Sequence, residues 1–327
     1  MARKKSRRTL YLIIALALLA VLTVLALALD REGAVERSGS SDHAATLISY
    51  NGEEAALRSY LTVYLIIGTD KYSEEVKDWA AYYNYEMADF QLLAFADRKN
   101  GTVQFLPLNR DTMCEVPWLS VDGKVGGTDY EQLAYDHSYG FGGEDSCENA
   151  VRTVENLCFG LPIDHYIKFT MDSIAAINDA VGGVTVTIEE DMTGTDPAFA
   201  AGATLTLSGE QAESFVRARR SVGDGLNSSR MLRQEQYLNA YIEKAKQLAS
   251  QDEDFITDSI ISLGDSIRSD MTVEGLSEFA SALSEYEISS LGSPNGEYSY
   301  SEKTGYMEFY VDTGDLWSKI KTAACRG

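Results

Sequence analysis

Three short apolar runs constrain the architecture of this 327-residue chain more than any other feature: residues 61–67 (LTVYLII), 91–96 (QLLAFA) and 102–108 (TVQFLPL). Each is strand-length and rich in β-branched or aromatic side chains. The last two are joined by Asp97-Arg98-Lys99-Asn100-Gly101, a turn composition that predicts a hairpin. Further strands are expected at 165–169 and 184–188 (VTVTI), interleaved with helical spacing at 148–157 and at 171–181, the latter stopped by Gly182-Gly183. The expectation is an α/β fold: a single α-β-α domain with a central mixed, largely β sheet flanked by helices.

The N-terminal segment has a different chemistry. MARKKSRR carries five basic side chains and no acid, and it runs into 21 apolar residues at 9–29. A bilayer core needs roughly 20 apolar residues in helical form, and the basic flank stays on the cytoplasmic side. A cleavable signal peptide is the rival reading, but its apolar region is normally about 7–15 residues. The expected organisation is a cytoplasmic tail at 1–8, a transmembrane helix at 9–29, a polar Gly/Ser-containing stalk at 30–55 and an extracytoplasmic domain at 56–327. This makes the chain a single-pass protein of the cell membrane.

Removing the first eight residues takes the formal charge from −22 to −27, so the remainder is strongly acidic. Nucleic-acid binders usually present a basic face, and none is expected here. Cys114, Cys147, Cys158 and Cys325 form no CxxC pair and have no histidine at ligand spacing, so the pattern does not support a zinc site and leaves one or two disulfides open. The sequence also lacks a GxxxxGK[ST] loop, an HExxH helix and a GxSxG elbow. Lys303-Thr304-Gly305 precedes Ser318-Lys319-Ile320-Lys321, the reverse of the penicillin-binding order, so both are chance matches. His137 and His165 have no nucleophile partner in the pattern and read as structural.

Against the acidic background, Arg217, Arg219, Arg220, Arg230 and Arg233 share one window with a single acid, Asp224. Clustered guanidiniums repel one another unless an anion compensates them, and their planar donor fork suits phosphate oxygens. Ser208-Gly209-Glu210-Gln211 is a capping-box pattern opening a helix to about Arg219, and Asn227 or Ser228 can cap the next. On that second helix Arg230 and Gln234 are i,i+4 neighbours near an anion-favouring N-terminus. A multiply charged phosphate is the expected ligand.

Asp70 follows the first strand and Asp89 precedes the second. Two carboxylates at adjacent strand ends can bind Mg²⁺, which also takes water and substrate phosphate; singly, each reads as a turn or cap aspartate. Asn109-Arg110-Asp111 leaves the third strand, where Arg110 is either a phosphate contact or half of a surface ion pair with Asp111.

In order along the chain, LIIGTD (65–70), MADFQLLAF (87–95), PLNRDT (107–112), YDHSYGFGG (135–143), VENLCFGLPIDHYIKF (154–169), INDAVGGVTVTIEEDM (177–192), LSGEQAESFVRARR (207–220), RMLRQEQ (230–236) and MTVEGLSEFASAL (271–283) resemble the LytR-CpsA-Psr family of bacterial envelope proteins. The resemblance implies a membrane-anchored phosphotransferase that moves an anionic glycopolymer from a polyprenyl-pyrophosphate carrier to a muramic-acid 6-hydroxyl of peptidoglycan. It also implies that Asp70 and Asp89 hold Mg²⁺ and that Arg110, Arg217, Arg219, Arg230 and Gln234 grip the pyrophosphate. Asp111 then orients Arg110 or assists the metal, and Phe95 and Phe105 help line a cavity for the prenyl chain. Teichoic acid, capsule and other wall polysaccharides all remain open as the polymer.

Three positions depart from the family pattern. Met87 stands where an arginine is common, Asn227 where an aspartate is common, and residues 71–87 form a longer, Tyr-rich insert. Two other readings therefore stand beside transfer: a pyrophosphatase acting on the same carrier, and a non-catalytic lipid- or glycan-binding regulator of the envelope.

Overall fold

The computed structural model describes residues 43, 46–70, 83–120, 122–170, 173–218, 233, 236–237, 240–241, 244, 247–248, 251, 267–271 and 286–326. The expected tail and transmembrane helix, most of the expected stalk, most of the 71–87 insert, and Arg219, Arg220, Asn227, Arg230 and Gln234 lie outside the described residues.

In chain order the elements are β1 (Leu47–Tyr50), β2 (Glu53–Ala56), β3 (Leu61–Thr69), β4 (Ala88–Asp97), β5 (Thr102–Leu108), β6 (Met113–Leu119), β7 (Val125–Gln132), a 3-10 turn (Leu133–Ser138), α1 (Glu144–Leu157) and β8 (His165–Thr170). There follow α2 (Ser173–Ala180), β9 (Val184–Thr187), β10 (Thr204–Leu207), α3 (Gly209–Arg217), β11 (Ile267–Ser269), β12 (Glu287–Ser290), β13 (Gly296–Tyr300), β14 (Met307–Val311) and α4 (Thr313–Ala324). The described residues fall into two compact units, one of 43–170, 268–271 and 290–326, the other of 173–267 and 286–289.

The larger unit is built on a mixed sheet. β3 runs antiparallel to β4 and parallel to β8, and β4 runs antiparallel to β5 through the expected 97–101 turn. Register explains why the three runs are almost continuously apolar. Val63 faces Phe95 and Leu93 faces Leu106, so Leu61, Val63, Leu65, Ile67, Leu93, Phe95, Leu106 and Leu108 share one face. They form one core with Cys147, Ala150 and Val154 of α1 and Leu316, Trp317 and Ile320 of α4. Ile66, Leu92, Ala94, Val103 and Phe105 alternate onto the other face and are buried as well. Strands buried on both sides lose the polar alternation of a half-exposed strand.

The hairpin of β1 and β2 falls largely inside the stretch read as a stalk. Asn51 and Gly52 both adopt left-handed backbone (φ 50° and 81°), the geometry of a two-residue hairpin turn, and so pair β1 with β2. Ile48 of this hairpin is buried in the main core. The hairpin exit meets the C-terminal end: the Arg58 amide donates to the Ala324 carbonyl (2.9 Å) and the Arg326 amide to that of Ala56 (2.9 Å). Helix α4, absent from the sequence expectation, starts at Asp312, whose side chain accepts from the Gly314 and Asp315 amides.

In the other unit the expected capping box is present. Ser208 Oγ accepts from the Gln211 amide (3.3 Å), and Gln211 Oε1 accepts from the Ser208 amide (3.2 Å). Replacing Ser208 with alanine is expected to cost about 1 kcal/mol, with Ser208→Asp close to wild type, in a urea unfolding series. Equal midpoints for wild type and the alanine variant would contradict the role of the cap.

All four cysteines are free, buried thiols, so neither of the disulfides left open by the sequence is formed. Burial pushes the Cys147 and Cys158 thiols up to about 12, which makes them inert packing groups.

Candidate functional site

β3 ends at Thr69, β4 begins at Ala88 and β5 ends at Leu108, so the residues just beyond these termini share one end of the sheet. The ladder shifts at Gly68/Thr69, and the Asp70 amide then donates to the Met87 carbonyl (3.2 Å), setting Asp70 beside the start of β4. A Cβ at Gly68 would lie 2.8 Å from the Phe169 ring, so that ring packs over the bare backbone of the glycine. On the other side, the pairing of β4 with β5 ends at Gln91 and Leu108, and Asp89 and Arg110 lie just beyond that pair.

Asp89 and Arg110 form an ion pair between Oδ1 and Nη1, with both side chains only 14% exposed. Arg110 Nε lies 3.6 Å from Asp111 Oδ1, and Arg110 Nη2 lies 4.0 Å from the sulfur of Met87. The bland expectation for Arg110 was a surface pair with Asp111; its direct partner is Asp89, and both sit in a largely desolvated setting. The loop is pinned through its backbone. The Asp111 amide donates to Asn109 Oδ1 (3.0 Å), the Ala134 amide to the Arg110 carbonyl (2.9 Å), and the Phe309 amide to the Asp111 carbonyl (2.8 Å). An arginine held this way points in a fixed direction.

A buried polar layer lies behind this cluster, and sequence reasoning missed it. Gln91 of β4 donates from Nε2 to Asp136 Oδ2 (2.8 Å). Burial pushes the Asp136 carboxyl up to about 7, against the lowering effect of the Gln91 hydrogen bond. Its neighbour His137 contacts the Glu86 carbonyl oxygen through Nδ1 (3.2 Å). Burial, reinforced by the Lys168 charge, holds the imidazole down at about 3 and therefore neutral. Lys168 of β8 is itself buried and pairs with Glu86 (Nζ–Oε2 2.7 Å). A lone lysine inside the apolar HYIKF strand was the available signal, since a buried cation demands a partner.

The remaining predicted residues belong to the other unit, to the sheet core or to the part of the chain beyond the described residues. Arg217 is the last residue of α3, in the other unit, where Nη1 pairs with Glu213 Oε1 (2.7 Å) one helical turn back. Arg233, counted in the arginine-rich window, is taken up structurally: it donates to the carbonyls of Phe215 and Ala218 at the end of α3 and lies 3.8 Å from Glu190. Arg219, Arg230 and Gln234 are outside the described residues. Phe95 and Phe105 cannot line one cavity on one face of the sheet. Gln104 pairs with Phe95 and Phe105 with Ala94, so the two rings point to opposite faces, and Phe95 belongs to the packed core under α1 and α4.

Among the described residues, no three His, Cys, Asp or Glu side chains gather at metal-ligand spacing. Asp70 and Asp89 nonetheless offer the donor chemistry of a magnesium site of the phosphate-bridging kind, in which one or two carboxylates suffice because water and substrate phosphate supply the other ligands.

A profile of the LytR_cpsA_psr family matches residues 34–323. The chain belongs to that family. Among curated LytR_cpsA_psr relatives, a polyisoprenyl-teichoic acid–peptidoglycan teichoic acid transferase TagU of Halalkalibacterium halodurans is 28% identical over 59% of this chain and 58% of its own length. The Bacillus mycoides protein of the same description is 30% identical over 61% of this chain and 58% of its own length. The matched segment thus spans under two thirds of either relative. Among solved structures, Bacillus subtilis TagV aligns over 82% of this chain and 97% of its own, with TM-score 0.58 and 23% identity. TagT bound to LI-WTA aligns over 89% and 98%, with TM-score 0.60 and 19% identity. These structures share the mixed α/β fold.

Proposed function

We propose that this LytR_cpsA_psr protein is a membrane-anchored phosphotransferase, its N-terminus cytoplasmic and its folded part outside. It moves an anionic glycopolymer of the teichoic acid class from a polyprenyl-pyrophosphate carrier to a muramic-acid 6-hydroxyl of peptidoglycan. The observation that carries this reading is the Asp89–Arg110–Asp111 cluster, shielded from solvent beside Asp70 at one end of the sheet. The descriptions of the TagU relatives support the choice of polymer.

Phosphoryl transfer demands positioning and charge neutralisation more than covalent catalysis. Asp70 and Asp89 would hold Mg²⁺, which when bound neutralises charge on the phosphate oxygens. Asp89 and Asp111 fix the guanidinium of Arg110 so that it meets the pyrophosphate without reorganisation. By resemblance to the family, Arg217, Arg219, Arg230 and Gln234 would supply further donors to a pyrophosphate. The acceptor hydroxyl oxygen bonds to the phosphorus next to the sugar, the bridging P–O bond breaks, and polyprenyl phosphate leaves. The hydroxyl proton passes to a carboxylate of the site.

The test is transfer of a polyprenyl-pyrophosphate-linked saccharide to peptidoglycan fragments by the full-length chain, with Mg²⁺ titrated against EDTA. Transfer that rises with Mg²⁺, and that Asp89→Asn lowers by about a hundredfold, is the expected result. Unchanged turnover in EDTA, or in Arg219→Ala and Arg230→Ala, would overturn the assignment. Phosphate release that ignores the peptidoglycan acceptor would make the protein a pyrophosphatase instead.

A further inference from the structure

Residues 84–87 lead into β4 as irregular chain, outside any strand, yet they set both carboxylates of the candidate site. The Met87 carbonyl accepts from the Asp70 amide (3.2 Å), and Asp89 lies two residues further on. Whatever fixes this segment therefore fixes the placement of Asp70 against Asp89. Glu86 is where it is held. Its carboxylate pairs with Lys168 Nζ of β8 (2.7 Å), its carbonyl oxygen contacts Nδ1 of His137 in the 3-10 turn (3.2 Å), and its amide donates to Asn84 Oδ1 (2.8 Å).

Strand β8 reaches this segment on both faces of the sheet. Lys168 stands opposite Ile67 in the parallel register and Phe169 opposite Gly68, and successive side chains of a strand point to opposite faces. On one face Lys168 meets Glu86. On the other the Phe169 ring packs over Gly68, its centroid 6.1 Å from that of Phe90. The last turns of β3 and the first residues of β4 are thus braced by two neighbouring residues of a third strand.

We propose that Lys168 is a positioning residue for transfer, an inference that rests on the transferase reading: through Glu86 it holds residues 86–89 against the end of β3, so that Asp70 and Asp89 stay side by side. Lys168 is only 6% exposed, which keeps it from substrate and leaves Glu86 as the group through which it acts. Stability alone does not account for the pair. Desolvation offsets most of the attraction between two shielded charges, and an apolar side chain at 168 would pack the HYIKF strand at least as well. What such a side chain would not provide is a fixed anchor for the Glu86 carboxylate, and with it a single position for the chain that enters β4.

The experiment is hydrogen exchange resolved to single amides, on full-length protein in detergent, read beside transfer kinetics. Lys168→Met alone orphans the Glu86 carboxylate and lowers stability, so the informative variant is Lys168→Met with Glu86→Gln, in which no charge is stranded and the urea midpoint is expected to match wild type. In that double variant the Asp70 amide is expected to exchange about tenfold faster or more, while the Leu65 and Leu93 amides in the same sheet keep their protection. Its kcat is expected to fall about a hundredfold, the scale of a misplaced reacting group. Wild-type exchange at Asp70 overturns the proposal, and so does wild-type kcat in a double variant whose Asp70 protection is lost. The two readings fail separately. A wild-type protein that transfers nothing removes the transferase, while faster exchange confined to Asp70 still identifies Lys168 as the residue that sets the carboxylate pair.

Discussion

Replacing Arg110 with alanine is expected to lower transfer by about 10³-fold at saturating donor, the scale set by removing one fixed donor from a developing phosphate charge. The same change removes the partner of a carboxylate that is only 14% exposed, so Asp89 is left buried and uncompensated. The accompanying stability cost is about 3 kcal/mol. The two effects separate in a double variant. Asp89→Asn added to Arg110→Ala restores most of the stability, because the orphaned charge is gone, and restores none of the transfer. Arg110→Lys keeps the charge but loses the fork that spans Asp89, Asp111 and a phosphate together, so it recovers only part of the rate. A double variant that regained transfer along with stability would show that Arg110 acts through folding alone.

The second large effect is a pH slope hidden by compensation. The Asp136 carboxyl is raised to about 7 in the folded protein, from 3.8. Between those values the native state holds a proton that the unfolded state has lost, and stability falls as pH rises. His137 is lowered to about 3 from 6.5, so between those values the unfolded state holds the extra proton and stability rises with pH. The windows overlap from about pH 4 to 6.5, and there the two contributions oppose each other. Wild type is therefore expected to lack both slopes. In Asp136→Asn the His137 contribution stands alone, and stability relative to wild type should climb by about 1.4 kcal/mol per pH unit across the window, roughly 3 kcal/mol in all. His137→Asn should show the opposite trend. Urea midpoints at half-unit pH steps measure both, and parallel profiles for wild type and Asp136→Asn would refute the account.

Much of the sheet was legible because its residues obey local rules. The 97–101 turn fixes a hairpin, and Ser208 with Gln211 closes a capping box that the structure reproduces atom for atom. Features that depend on distant pairing were not legible. Gln91 and Asp136 are 45 positions apart, and neither looks unusual alone. Lys168 finds Glu86 across 82 positions. Composition misled where polar residues are themselves structural: Asn51 and Gly52 looked like stalk and are the turn of β1–β2. Arg233 looked like part of an anion site and instead satisfies the last carbonyls of α3. Parity decided the two phenylalanines, since the same register that makes the hairpin sends Phe95 and Phe105 to opposite sides.

The meeting of the β1–β2 hairpin with the end of α4 has a mechanical corollary. Leu57 pairs with Cys325, and reciprocal backbone bonds join Ala56 to Arg326 and Arg58 to Ala324. A pull applied to the chain at residue 46 therefore loads this clasp and α4 before it reaches β3 and the strand that leads to Asp70.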